Sequence, residues 1–184
     1  MGIFKYFREL VGSEEDDTPD DKQILSELRQ ESPAISSELT DEQIDNLDAQ
    51  LNTFIQKHSA NDCFKLVAQY LKDGKYASAI YLYQRLASAF PELRQDCEAQ
   101  IGQSYYCLGQ YAKAIEAYIA ARVHGADPEW MDETIWEACE SLASQSDDAT
   151  KRRESLQMYT TLCPEGQHMK DAEHALQAMQ QQSY

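Results

Sequence analysis

The chain has 184 residues, 32 acidic against 16 basic side chains, and a formal net charge of −16. A chain of this length buries roughly 70% of its unfolded surface, enough for one domain with a real core and no disulfide or metal staple. The acidic balance repels phosphate backbones and anionic headgroups, so nucleic acid is excluded as the expected partner, and 42% apolar with 10% aromatic residues excludes a wholly disordered chain.

Acidity is concentrated at the start. Residues 1–50 hold 14 acidic and 4 basic side chains, a net −10. In GIFKYFRELV the apolar residues Ile3, Phe4, Phe7, Leu10 and Val11 fall at helical spacing. This predicts a short amphipathic helix whose face is free to dock or dimerise. SEEDDTPDD, from Ser13 to Asp21, places six carboxylates in nine residues around Pro19 and reads as a solvated linker. A brief helical pattern at Ile24, Leu25 and Leu28 follows. Residues 1–39 therefore read as a partly flexible acidic arm, and residues 40–184 as the folded domain.

Thr40 with Gln43 forms a capping-box pattern, and Ile44, Leu47, Leu51, Phe54 and Ile55 recur on one helical face. The spacing predicts a helix from Asp41 to about Lys57. Beyond residue 60 the chain repeats itself. DGKYASAIYLYQRLASAFP (Asp73 to Pro91) and LGQYAKAIEAYIAARVHGA (Leu108 to Ala126) match at Gly74/Gly109, Tyr76/Tyr111, Ala79/Ala114, Ile80/Ile115 and Tyr83/Tyr118, an offset of 35. Leu66/Ile101 and Tyr70/Tyr105 extend the match upstream, so the repeating unit is a pair of helices.

The residue types have physical reasons. Gly74 and Gly109 stand where a first helix must end in a left-handed backbone. Ala79 and Ala114 allow two antiparallel helices to approach, and Tyr83 and Tyr118 fill the space between successive pairs. Pro91 ends a second helix. A third, less regular unit begins at Asp127-Pro128, with Trp130, Met131, Ile135, Ala138, Cys139 and Leu142 on its first helix. Its turn is the polar stretch SQSDDATKR, and Leu156, Tyr159 and Leu162 mark its second helix before Pro164. A last helix with Met169, Ala172, Leu176 and Met179 on one face, and glutamines on the other, reads as a polar-backed cap.

These helix pairs resemble the tetratricopeptide repeat, a helix-turn-helix of about 34 residues. The resemblance implies an all-α helical-hairpin solenoid with about three repeats, near 60–93, 95–126 and 128–164, and a capping helix at 167–180. It also implies a concave face lined by the first helix of each pair. Counted through that family's face positions, the first repeat contributes Asn61, Phe64, Ala68, Leu71 and Lys72, and the second contributes Asp96, Ala99, Gln103, Tyr106 and Cys107. Phe64, Ala68, Leu71, Asp96, Ala99, Gln103 and Tyr106 are accordingly the expected partner-binding residues. An apolar face with few amides and charges suits an extended peptide. With Lys72 as its one cation, it does not suit the acidic C-termini that some members of the family clamp.

No catalytic signature is legible, and no cofactor is expected. His58, His124, His168 and His174 are isolated in sequence, and Gly102 has no companion glycines at phosphate-loop spacing. Five cysteines, Cys63, Cys97, Cys107, Cys139 and Cys163, form neither a disulfide set nor a zinc motif and read as mostly buried free thiols of a reducing cytosol. No signal-peptide run or membrane-length apolar stretch is present. The expectation is a cytoplasmic protein that is not an enzyme.

One resemblance is narrower. The run LGQYAKAIEAYIAARVHGADPEWMDETIWEACESL, with Gly109, Gln110, Tyr111, Ala114, Ile115, Tyr118, Asp127, Pro128, Ala138, Cys139 and Glu140, is similar to the class II chaperones of bacterial type III secretion. That likeness covers about residues 45–165. It implies a chaperone whose groove, here Phe64, Leu71, Gln103 and Tyr106, holds an extended segment of a hydrophobic secreted translocator. In that family the N-terminal helices often mediate dimerisation, which leaves a homodimer through Ile3, Phe4, Phe7 and Leu10 open. The competing expectation is a scaffold or assembly factor, docked through the same helix to a larger, membrane-associated complex.

Overall fold

The structure, a computed structural model, describes residues 39–181. The amphipathic helix expected at Ile3, Phe4, Phe7 and Leu10, and the rest of the arm before Leu39, lie outside the described residues. Those described contain eight α-helices, one 3-10 turn and no strand. Among them no helix is long and apolar enough to cross a membrane.

Helix α1 (Asp41–Ile55) begins as the sequence predicts. Gln43 N–H donates to Thr40 Oγ1 at 3.2 Å, and Thr40 N–H donates to Gln43 Oε1 at 2.8 Å. Such a cap satisfies two of the donors that a helix start otherwise leaves open. Leu47, Leu51 and Phe54 are the face it buries. Helix α2 (Ala60–Lys72) carries a second capping box from Ser59 and Asp62. Then come α3 (Tyr76–Ala89), a 3-10 turn at Pro91–Leu93, and α4 (Arg94–Cys107). Helix α3 stops at Ala89, just ahead of Pro91 as expected, and Pro91 then opens the short turn leading into α4.

Gly74 and Gly109 terminate α2 and α4 at φ 74° and 71°. In each case two backbone bonds close the end: Lys75 N–H to Tyr70 O and Gly74 N–H to Leu71 O, then Gln110 N–H to Tyr105 O and Gly109 N–H to Tyr106 O. This paired pattern needs the left-handed residue that glycine adopts without a Cβ clash. Helix α5 (Tyr111–Val123) follows the second turn.

Helix α6 (Pro128–Ser144) is capped by Asp127, whose carboxylate accepts from Trp130 N–H at 2.9 Å. Its turn is shorter than the sequence suggests. Asp148 accepts from Thr150 N–H at 2.8 Å and so starts α7 (Ala149–Leu162) inside the polar stretch, leaving only residues 145–148 as the connection. Gln145, the C-cap of α6, donates through Nε2 to Gly109 O at 2.9 Å, tying one turn to the next. Helix α8 (Met169–Gln181) closes the described chain, with Ala172 buried.

Each helix packs against its chain neighbour, and α2 also lies along α4. The buried side chains form two clusters. One joins α1, α2 and α3 to Cys97 and Ile101 of α4, and the other joins Ala99 of α4 to α5, α6, α7 and α8. The sequence Ala79-Ile80…Tyr83, Ala114-Ile115…Tyr118 and Ser155-Leu156…Tyr159 sets a small, an aliphatic and an aromatic residue at the same spacing on α3, α5 and α7, all buried. Gly102 of α4 faces Tyr118 so closely that a Cβ there would stand 2.5 Å from ring carbons Cδ1 and Cε1.

Candidate binding face

The expected binding residues divide into a floor and a rim. Phe64, Ala68 and Leu71 of α2 and Ala99 of α4 are buried. Phe64 packs its ring 5.3 Å from that of Tyr83, so these four side chains support the face and offer a partner little apolar area. Asp96, Gln103 and Tyr106 of α4 are half-buried and reach solvent. Asn61, Lys72 and Cys107 are exposed, and the Gln103 amide donates to Cys107 Sγ at 3.3 Å.

The rim continues from α4 onto α6. The Tyr106 and Ser141 hydroxyls are 3.0 Å apart, and the Tyr106 ring leans on Tyr111 at 5.1 Å. Glu133, Glu137 and Ser141 stand at successive four-residue steps of α6, with Glu140 beside them. Burial raises the Glu137 carboxyl above the ordinary carboxylate range, and the nearby Glu133 and Glu140 charges push the same way. Burial likewise raises Glu140, with His168 opposing, and Asp96 is raised by burial alone. Burial is the largest cause for all three, and the His168 charge opposes it at Glu137 as it does at Glu140.

The Tyr118 hydroxyl is sealed inside the fold. Tyr118 is only 1% exposed, its oxygen has no hydrogen-bond partner, and burial raises its phenol well above the ordinary range. A buried hydroxyl left unsatisfied costs about 1–3 kcal/mol. Tyr83, fully buried, carries a second such hydroxyl.

A polar cluster that no local pattern announces lies beyond the rim. The buried Asp132 carboxylate accepts from Tyr159 O–H at 2.8 Å and Gln167 N–H at 2.7 Å. Tyr159 Oη accepts in turn from His168 N–H at 3.1 Å. The Arg122 guanidinium donates to Leu162 O at 3.0 Å and to Cys163 Sγ at 3.1 Å. Arg122, Asp132, Cys163 and Gly166 help line an open cavity of about 330 Å³. Burial raises the Cys163 thiol, with the Arg122 contact opposing. A protonated thiol is a poor nucleophile, and the cluster's polar atoms are engaged with one another, so the arrangement locks the segment between α7 and α8.

His168, isolated in sequence, sits at that lock. Its ring stacks on Trp136 at 5.4 Å and 7°. Nε2 is 2.9 Å from Glu133 Oε2, and Nδ1 is 3.5 Å from Asp171 Oδ2. Burial would lower its pKa, but the bonds to Glu133 and Asp171 prevail and raise it. His124 pairs with Glu98 at 2.6 Å, and His58 stacks on Phe54 at 3.9 Å. Among the described residues no group of three or more His, Cys, Asp or Glu side chains is placed to hold a metal ion.

No family model matches the chain, and no curated protein matches it significantly.

Proposed function

We propose that the chain is a tetratricopeptide-like binding protein that holds an extended segment of a protein partner along the face of α2, α4 and α6, as a secretion chaperone does for a hydrophobic client. In this reading α2/α3, α4/α5 and α6/α7 are three successive repeats and α8 is the cap. The recurring small–aliphatic–Tyr pattern on α3, α5 and α7 supports it, and so do the two glycine turns with identical bonding. The six extra residues between Tyr118 and Tyr159, relative to the offset of 35, fall at the start of α6 and in its glycine-free turn.

The carrying observation is the Tyr106–Ser141 contact between successive first helices. It joins a half-buried aromatic ring that reaches solvent on α4 to the surface of α6. An aliphatic anchor buried on Tyr106 would contribute roughly 1.5–3 kcal/mol before ordering costs. The type III secretion client class is supported by the residue run from Gly109 to Glu140.

Co-expression with N-terminal segments of candidate translocators tests this. A soluble complex that survives purification, and is lost in Tyr106→Ala and Gln103→Arg while the fold is retained by circular dichroism, is the expected result. Leu71 is buried, so a change there tests folding and not binding. Full binding by both rim variants would refute the assignment of this face.

A further inference from the structure

The His168 ring is held by two carboxylates, one at each nitrogen. Nε2 is 2.9 Å from Glu133 Oε2 on α6, and Nδ1 is 3.5 Å from Asp171 Oδ2 on α8. A neutral imidazole carries one N–H and must turn a lone pair on one of these oxygens, whereas the imidazolium presents an N–H to each. The geometry is therefore that of the charged ring. It lies parallel to the Trp136 indole of α6 at 5.4 Å, a contact that gains from a positive charge, and stands across the Tyr159 ring of α7 at 6.4 Å.

The same residue joins the last helix to the stack. Its carbonyl accepts from Ala172 N–H at 2.9 Å at the start of α8, and its own N–H donates to Tyr159 Oη at 3.1 Å. The packing that α8 adds is thin: Ala172 is its buried residue, with Ala175, Leu176 and Met179 part-buried beside it. The titratable groups that face the ring are Asp132, Glu133, Glu137 and Glu140 of α6, Asp171 of α8 and the Tyr159 phenol of α7. Burial works to expel the proton, and Glu133, Asp171 and Asp132 overcome it, so the ring holds its proton above the ordinary 6.5.

We propose that His168 is a proton-operated latch on the cap: charged, it ties α8 to α6 through Asp171 and Glu133, and neutral, it lets α8 loosen from α7 while the repeats stay folded. The folded ring binds its proton more tightly than the unfolded one, so the tie is complete below 6.5 and is lost as pH rises through the higher folded value. Loss of the proton leaves Glu133 and Asp171 without their shared cation. Opening uncovers Trp136 and Tyr159, which pack at 5.0 Å against each other and both against the His168 ring. The latch acts at the end of the stack and does not depend on what the face binds.

Hydrogen exchange of the full chain, read by mass spectrometry and corrected for the intrinsic rate at each pH, tests this. Protection of the α8 amides should fall about threefold or more between about pH 6 and pH 8.5, while protection in α4 holds. His168→Gln should give low α8 protection that no longer changes with pH, and His174→Gln, an exposed change on the same helix, should keep the native dependence. In NMR the His168 ring protons should titrate above 6.5 and move down toward that value in Glu133→Gln. An α8 protection that is flat with pH in the unaltered chain, or an equal slope in His168→Gln, overturns the latch. So does a His168 ring that titrates at or below 6.5, a measurement that needs no variant to fold. Loss of protection in α4 and α8 together makes the transition global unfolding and overturns it as well.

Discussion

The ring of Tyr118 lies directly over Gly102, at a distance where a methyl group in place of the glycine hydrogen would meet Cδ1 and Cε1 at 2.5 Å. The contact closes α4 on α5, and it is rigid on both sides because Tyr118 is buried. Gly102→Ala should therefore destabilise the chain by about 1–3 kcal/mol, the usual cost of overpacking a filled core. Urea denaturation measures it. Combining Gly102→Ala with Tyr118→Leu should cost less than the sum of the two, because the second change removes what the methyl strikes.

The buried phenols are not equivalent. Tyr118 and Tyr83 have hydroxyls with no partner, so Tyr118→Phe and Tyr83→Phe should leave stability unchanged within about 0.5 kcal/mol or raise it. Tyr159 donates to Asp132 and accepts from His168 N–H. Tyr159→Phe should cost about 1–3 kcal/mol, since a buried carboxylate and a backbone donor both lose a partner. Thermal unfolding of the three variants side by side would decide this, and equal losses in all three would contradict it.

Thiol reactivity should single out one cysteine. Cys107 is exposed and Cys63, Cys97, Cys139 and Cys163 are buried. Burial pushes Cys63 up to about 11 and Cys97 and Cys139 up to about 12, so these remain thiols at mildly alkaline pH. Titration of the native chain with a chromogenic disulfide near pH 8 should release one rapid equivalent. Unfolding in guanidinium should release all five. Mass mapping should place the first label on Cys107.

Stability should increase as the solution is acidified from neutrality. Asp96, Glu137 and Glu140 are raised by burial. His168, for which burial acts downward, is raised on balance by Glu133 and Asp171. Each binds its proton more tightly folded than unfolded, so its stabilising effect is complete below the unfolded value, 6.5 for His and 4.5 for Glu, and is lost as pH rises through the folded value. Asp62 acts in reverse. The hydrogen bond from Ser59 lowers it, so its contribution is present above the ordinary 3.8 and disappears as pH falls through the folded value. The melting temperature should climb from neutral pH into the acidic range and turn down below about 3.8. Glu137→Gln should flatten the climb, whereas a melting temperature that falls steadily on acidification would contradict the assignment.

The helices and most of the core were legible because their signals are local. Thr40 and Gln43 form the expected cap, Gly74 and Gly109 close the expected turns, and Tyr70, Tyr83 and Tyr118 are buried as their register requires. The candidate face was legible only as a set of positions. Family register identifies Phe64, Ala68, Leu71 and Ala99 as facing a partner, but whether a side chain is rim or floor depends on how closely neighbouring helices approach. The Asp132–Tyr159–His168 network and the Tyr106–Ser141 contact join residues far apart in the chain, across helices. No spacing rule within one helix encodes such meetings. The third turn misled for a simpler reason: Asp148 was one of several polar residues, any of which could have capped α7.

Helix α4 belongs to both clusters of buried side chains, giving Cys97 and Ile101 to one and Ala99 to the other. Partial opening therefore has a direction. Releasing α8 and α7, or α1 at the other end, exposes the residues of a single cluster and leaves α4 half-covered by what remains. Exposing α4 requires both clusters to come apart, which is the global event. Its amides, those of Gln103 and Tyr106 included, should be the slowest in the chain to exchange with deuterium. The part of the face that would meet a partner is thus borne by the last helix to let go, so fraying at either end leaves that part intact.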